Sequence, residues 1–206
     1  MNANVIPDIV ISRLPRYLQT LQRMVKTGVH TTSSKELGEI LGISAAQIRK
    51  DLSQFGEFGK QGTGYSIPYL EDQIEKILNI QKNWDIVLVG AGDLAHAIFH
   101  YQGFSDHGFC ITQVYDNDPG KIGQQIGDLL VGDIAQLAEN VSQARIKIAM
   151  LTVPASAAQE VAETLVKAGV RAILNYAPIA LNLPDEVHVD SIDPVVKLQH
   201  MTYYLH

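Results

Sequence analysis

Gly90-x-Gly92-x-x-Ala95, inside "IVLVGAGDLA", has the residue types and spacing that hold a diphosphate. Gly90 permits a tight turn, Gly92 lets the backbone approach a pyrophosphate, and Ala95 stands where a third glycine often allows close helix–strand packing. The anion would rest on the N-terminus of the following helix, where free N–H groups and the dipole favour negative charge. "FCITQVYD" reads as a second strand ending at Asp116, 21 residues after Ala95, about where a carboxylate takes ribose hydroxyls. A carboxylate there repels a 2′-phosphate, so NAD is expected over NADP. The plainer reading of Asp116 is a turn residue in "DNDPG".

Other chemistry is poorly represented. His96 and His100 are four apart, as zinc ligands can be, but no third ligand is placed and Cys110 is the single cysteine, so no metal is expected. A dehydrogenase needs a placed acid or base at the nicotinamide. No such constellation is visible, and only about 110 residues follow the glycine turn, too few for a substrate domain as well. The dinucleotide then reads as a signal rather than a co-substrate. The rival is a small NAD-dependent oxidoreductase with a helical accessory domain.

The elements that position this turn form a β–α alternation. "WDIVLV" reads as a buried parallel strand, "IKIAMLTVP" as another, "AAQEVAETLVKAG" as its helix, and "VRAILNYAP" as the next strand. Strand C-terminal ends face the ligand crevice in such sheets, which makes Thr152, Val153, Asn175 and Ala177 candidate pocket walls. Cys110, on the second strand, is expected to be a buried small hydrophobe.

The first 82 residues carry a different pattern. Leu14, Leu18, Leu21 and Val25 share one helical face, with Pro15 near the start and Gly28 as the stop. Ser33 and Glu36 read as a capping box opening a helix with a buried stripe of Leu37, Ile40 and Leu41, ended by Gly42. Ser44 and Gln47 read as a second box. Two short helices joined by a tight glycine turn are a helix-turn-helix. In the second helix Ile48, Leu52 and Phe55 face the core. Ala46, Arg49, Lys50 and Ser53 fall on the opposite side, where small residues and cations suit the major groove. The bland reading of that face is a solvated surface. "GEFGKQGTGYSI" then reads as a glycine-rich hairpin tipped by Lys60, with Tyr65 and Ile67 alternating beyond it, like the wing of a winged helix. "YLEDQIEKILNIQKNW" reads as a connecting helix with Leu70, Ile74, Ile77 and Leu78 on one face.

Charge agrees with this division. Residues 1–67 hold eight Lys/Arg against five Asp/Glu, while residues 68–206 hold eight against seventeen. A basic head on an acidic body suits a polyanionic partner. No apolar run approaches the ~20 residues that span a bilayer. The N-terminus does not resemble a signal peptide, and the expected setting is the reducing cytoplasm. The tail "IDPVVKLQHMTYYLH" starts with Asp193 as N-cap and Pro194 at the first helical position. Its helix is apolar nearly all round and needs burial, on its own domain or on a partner subunit.

Along almost its whole length the chain resembles the Rex family of redox-sensing transcriptional repressors. The resemblance rests on "ISRLPRYL", "TSSKELGEILGISAAQIRKDLSQFGEFGKQGTGY", "LVGAGDLA", "DNDPGKIG", "LTVP", "NYAP" and "VVKLQHMTYYL". It implies an α/β homodimer: an N-terminal winged helix-turn-helix (1–82), a Rossmann-type parallel sheet (83–190) and a C-terminal helix (191–206) exchanged with the partner. It also implies palindromic operator DNA and NADH/NAD⁺ as regulatory ligand, with NADH releasing the DNA and no small-molecule substrate or membrane involved. By motif, Ala46, Arg49, Lys50 and Ser53 belong to the recognition helix. Lys60, Gln61, Gly62 and Gly64 belong to the wing. Gly90, Ala91, Gly92, Asp93, Leu94 and Ala95 take the diphosphate, Asp116 the adenosine ribose, and Lys121 and Ile122 flank the adenine. In the family a tyrosine in the helix after the glycine turn meets an aspartate at the start of the partner's swapped helix. Tyr101 and Asp193 match those positions. Some members pair that aspartate with an arginine where this chain has Gln19, and follow it with an aromatic where it has Pro194.

Overall fold

A computed structural model describes residues 6–60 and 64–205. The chain divides into two compact units, 1–82 and 83–206.

The first unit opens with a single turn, α1 (Asp8–Ile11), and then α2 (Leu14–Lys26), with Pro15 in its first turn. Leu14, Leu18 and Leu21 are buried as expected, joined by Tyr17. After β1 (Thr31–Thr32) comes α3 (Ser34–Leu41), opened by a full capping box: Ser33 accepts from the Glu36 amide and Glu36 accepts from the Ser33 amide. Gly42 closes it in the left-handed region at φ +67°. Ile40 departs from the expected stripe and is exposed. Leu37 and Gly38 hold the core side instead, and a Cβ on Gly38 would collide with the Ile43 carbonyl, so glycine lets the turn fold back on α3.

The helix α4 (Ala45–Ser53) buries Ile48 and Leu52, and Phe55, two residues past its end, is half-buried. Its capping box is only half made. Ser44 accepts from the Gln47 amide, but the Gln47 side chain turns away and donates to Asp51 at 2.7 Å. A hairpin of β2 (Gly59–Lys60) and β3 (Gly64–Ser66) follows, and β1 pairs with β3 to complete a small antiparallel sheet. Ile67 does not continue the strand. It starts α5 (Ile67–Ile77), whose Leu70 and Ile74 are buried against α2.

The second unit is built on β4 (Trp84–Val89), α6 (Asp93–Phe99), β5 (Phe109–Asp116), β6 (Gln125–Ile126) and β7 (Leu129–Asp133), then α7 (Leu137–Ala144), β8 (Ile148–Leu151), α8 (Ala155–Lys167), β9 (Ala172–Asn175), β10 (His188–Ser191) and α9 (Pro194–Thr202). The sheet order is β10-β9-β8-β4-β5-β7-β6, parallel except for β6, which pairs antiparallel with β7 at the edge. Alternation along β4 explains the layers. Val87 and Val89 meet Leu137, Val141, Val161 and Leu165 from α7 and α8, while Ile86 and Leu88 meet Ala95 and Ile98 from α6. Helices therefore cover both faces, as a largely parallel sheet requires. The strand order reverses between β4 and β8, and that switch point opens a crevice beyond their C-terminal ends. Cys110 is half-buried rather than buried, because its stretch of β5 lies before the fully covered segment Val114–Asp116.

Candidate cofactor pocket and nucleic-acid interface

The glycine turn is laced to three strand ends. The Gly90 amide donates to the Tyr115 carbonyl at 2.8 Å, the Thr152 amide donates to the Val89 carbonyl at 2.8 Å, and the Thr152 hydroxyl donates to the Gly90 carbonyl at 2.8 Å. Gly90 sits at φ +99°, and a Cβ there would lie 2.7 Å from the Thr152 carbonyl oxygen, so both conformation and space demand glycine. Around Gly92 nothing lies within 4 Å of an added Cβ, which leaves the backbone open to a ligand. Ala95 is fully buried beneath the turn.

Asp116 is buried at the end of β5. Its Oδ2 accepts from the Ala91 amide at 2.6 Å and from Lys121 Nζ at 3.0 Å, and its Oδ1 accepts from the Asp118 amide at 2.8 Å. Burial pushes its pKa up, but the Ala91 and Asp118 amides and the Lys121 ammonium outweigh that and hold the carboxyl below its ordinary range. The carboxylate therefore stays charged at neutral pH; it organises its turn and faces the crevice.

The crevice is a cavity of about 600 Å³. Gly90, Gly92, Asp116, Lys121, Thr152 and Val153 line it, as the sequence reading places them. Asn175 and Ala177, expected as walls, do not. Their strand β9 is separated from β4 by β8, and Asn175 is fully buried with its side chain spent on its own turn, donating to the carbonyls of Ala177 and Ile179 and accepting from the Ala177 amide. Of the remaining expected residues, Ala91 is buried with its amide held by Asp116, Asp93 and Leu94 are exposed at the start of α6, and Ile122 is half-buried. Asn117, Asp118, Pro154 and Ser156 also line the cavity without having been singled out. Their signal was positional: Asn117 and Asp118 follow the end of β5, and Pro154 and Ser156 lie where the chain passes from β8 into α8.

On the first unit, Ala46, Arg49, Lys50 and Ser53 are all exposed on one face of α4. Arg49 donates to the Ser34 hydroxyl, 2.9 Å away. A groove of about 420 Å³ runs beside this face toward the hairpin, bordered by Arg49, Ser53, Glu57 and Tyr65. Lys60 and Gly64 are paired across the hairpin, while Gln61 and Gly62 lie outside the described residues. On the opposite side of α4 the sequence reading missed Asp51, which is fully buried. It accepts from Arg13 Nε and Nη2 at 2.6 and 2.7 Å, Tyr17 Oη at 2.6 Å and Gln47 Nε2 at 2.7 Å. A charged residue on a core face is the signal that could have found it, since a buried carboxylate requires partners.

Tyr101 lies just past the end of α6 rather than within it, exposed, its ring edge-on to Phe104 at 5.3 Å. Asp193 caps α9 by accepting from the Val195 amide at 2.8 Å. His100 Nδ1 lies 2.7 Å from the His96 carbonyl, and no group of metal-ligating side chains forms among the described residues.

Comparison with known proteins matches both units. Residues 81–179 fit the model of a CoA binding domain, and residues 5–53 fit that of the N-terminus of putative DNA-binding proteins. The chain is 52% identical over 199 residues to the redox-sensing transcriptional repressor Rex of Chloroflexus aggregans, covering 97% of this chain and 94% of that one. The chain belongs to the Rex family. Rex of Desulforamulus reducens is 45% identical over 205 residues, 100% of this chain and 98% of that one. Among solved structures, the Rex-family repressor RSP in complex with beta-NAD⁺ and operator DNA matches with a TM-score of 0.93 at 37% identity, covering 98% of this chain and 93% of that one. RSP in complex with beta-NADH matches at 0.89 and 35%, covering 98% and 95%. Rex proteins are named as transcriptional repressors rather than enzymes, so the oxidoreductase alternative falls away.

Proposed function

We propose that this Rex protein represses transcription by binding palindromic operator DNA through residues 1–82 and is released when NADH fills the crevice of residues 83–190. The observation that carries this reading is the cavity at the ends of β4, β5 and β8, where the glycine turn and the Asp116–Lys121 pair meet. The turn from Gly90 to Ala95 takes the diphosphate, and Asp116 takes the adenosine ribose and disfavours a 2′-phosphate. Lys121 and Ile122 flank the adenine, with Thr152 and Val153 along the opposite wall. Reduced nicotinamide is uncharged and suits an apolar site better than the cationic oxidised ring.

Arg49, Lys50 and Ser53, with Ala46 giving room for close approach, enter the major groove, and the segment Lys60 to Gly64 enters the minor groove. A two-fold operator calls for two heads about one DNA turn, ~34 Å, apart. The apolar side chains of residues 194–205, exposed in the single chain, support a homodimer in which α9 crosses to the partner. In that dimer Tyr101 and Asp193 of opposite subunits form the contact that marks one state of the switch. A DNA-bound regulator of this kind works in the cytoplasm.

The test is operator binding followed by fluorescence anisotropy during titration with NADH, NAD⁺, NADPH and NADP⁺. Release by NADH at micromolar-scale excess, with NADH recovered unoxidised, is expected. Oxidation of NADH during release, or operator binding indifferent to all four, contradicts the reading.

A further inference from the structure

The buried cluster on α4 has a role that neither the exposed face nor the cofactor pocket supplies. Asp51 lies beside Ile48 and Leu52 on the core side of α4, yet it is the charged residue of that face. Three of its four hydrogen bonds come from outside α4, from Arg13 and Tyr17, and the fourth from Gln47 on α4 itself. Arg13 is the N-cap of α2, and Tyr17 stands in the early turns of the same helix. The four donors fill the roughly four lone-pair sites of one carboxylate, and the Arg13 pair is bidentate. Apolar side chains packed against each other tolerate small rotations and slides, because dispersion is non-directional. A saturated carboxylate does not, since each bond has its own direction.

We propose that Asp51, with Arg13 and Tyr17, is a directional clamp that fixes the rotation of α4 about its own axis, and so sets the aim of Arg49, Lys50 and Ser53 at base edges. The clamp serves sequence discrimination rather than stability. A buried ion pair replaced by apolar groups of similar volume is often as stable as before or more so, whereas buried polar groups can specify one arrangement among near-equivalent packings. Asp51, Arg13 and Tyr17 touch no DNA in this scheme; they are positioning residues. The geometry permits this because Asp51 and Arg49 are two residues apart on one helix, so any roll that moves Asp51 off its donors swings Arg49 by the same angle.

This inference rests on the operator-binding reading, and its test separates the two. The probe is a duplex that the wild-type protein enriches from a random library, compared with a scrambled duplex of equal length. The variant carries Arg13→Met, Tyr17→Phe and Asp51→Leu together. It removes one positive and one negative charge, so the formal net charge and the salt-dependent, sequence-independent term are kept. Folding is checked by circular dichroism and NADH affinity. The clamp is expected to show as a drop of about tenfold or more in the ratio of enriched to scrambled affinity, the size of one lost base contact, with unfolding temperature and NADH affinity held. A preserved ratio in a folded triple variant overturns the clamp and leaves the repressor reading intact. Wild-type protein that does not discriminate at all overturns both. Should the triple variant not fold, Asp51→Asn measured at low temperature takes its place, with the same drop expected and an unchanged ratio again overturning the clamp.

Discussion

The Asp116 carboxylate accepts the Ala91 amide at 2.6 Å, tying the end of the second strand to the glycine turn 25 residues earlier. One side chain thus shapes the floor of the crevice and presents its charge there. Removing it has two effects at once. Asp116→Ala is expected to weaken NADH through both the lost ribose contact and a loosened turn, and to narrow the margin by which NADH exceeds NADPH. Calorimetric titration of both ligands measures this. Wild-type protein that binds NADPH as tightly as NADH is the outcome that removes Asp116 from the ribose.

Arg49 is exposed and, among the described residues, hydrogen-bonds the Ser34 hydroxyl, so its loss has little to disturb in the fold. Arg49→Ala is expected to cost ~1–3 kcal/mol of operator binding and to relax preference at one base pair. Unfolding temperature stays within experimental spread of wild type. Affinities across a set of operators substituted one base pair at a time read this directly. A uniform loss across all of them would assign Arg49 to a phosphate instead.

Acid acts on the first unit through Asp51. Burial raises its pKa, but the bonds from Arg13, Tyr17 and Gln47 outweigh this and hold it below the ordinary carboxylate range. A depressed folded pKa contributes stability that is complete above the unfolded value, near ~3.9, and is lost as pH falls through the lower folded value. Breaking the pair by Asp51→Asn, which leaves Arg13 unmatched, is expected to destabilise by about 3 kcal/mol at pH 7. The gap between the variant and wild type should hold from pH 7 to about pH 5 and close below pH 4. Urea titrations at stepped pH check it, and a gap independent of pH down to 3 would show that Asp51 does not titrate with the fold.

Both the glycine turn and the helix-turn-helix were legible because local chemistry writes them: φ +99° at Gly90, the Ser33–Glu36 box and the left-handed Gly42 each demand a particular residue. Periodicity also places the parallel strands. It failed where a side chain answers to distant partners. Ile40 has the right spacing for the core, yet α3 turns its Leu37–Gly38 side inward because Gly38 must approach Ile43. Gln47 has the right position for a cap and is recruited by Asp51 instead. Asn175 stands at a strand end but one strand too far from the switch point. The edge strand β6 and the two-residue β1 are too short to carry any period.

Seven large apolar side chains of the tail, Val195, Val196, Leu198, Met201, Tyr203, Tyr204 and Leu205, are exposed in the single chain. A surface of that kind is normally covered. Deleting residues 194–206 is expected to convert a dimer into monomers or aggregates in sedimentation velocity, with operator binding lost in step. A truncated protein that remains a soluble dimer and still binds operator would place the dimer contact elsewhere.

In the proposed repressor one ligand reports on the other. In the proposed dimer NADH and DNA meet different units of the chain, so NADH would act by favouring one arrangement of the two subunits, and coupling of that kind is reciprocal. Operator must weaken NADH by the same factor by which NADH weakens operator. The direct measurement is NADH affinity with and without saturating operator duplex, for wild type and for Tyr101→Phe, which keeps the ring and removes the hydroxyl. The expected result is a wild-type NADH affinity at least about tenfold weaker on DNA, a coupling of ~1.4 kcal/mol, that changes in Tyr101→Phe more than NADH affinity alone does. Equal wild-type affinities with and without operator would rule out an NADH-responsive repressor.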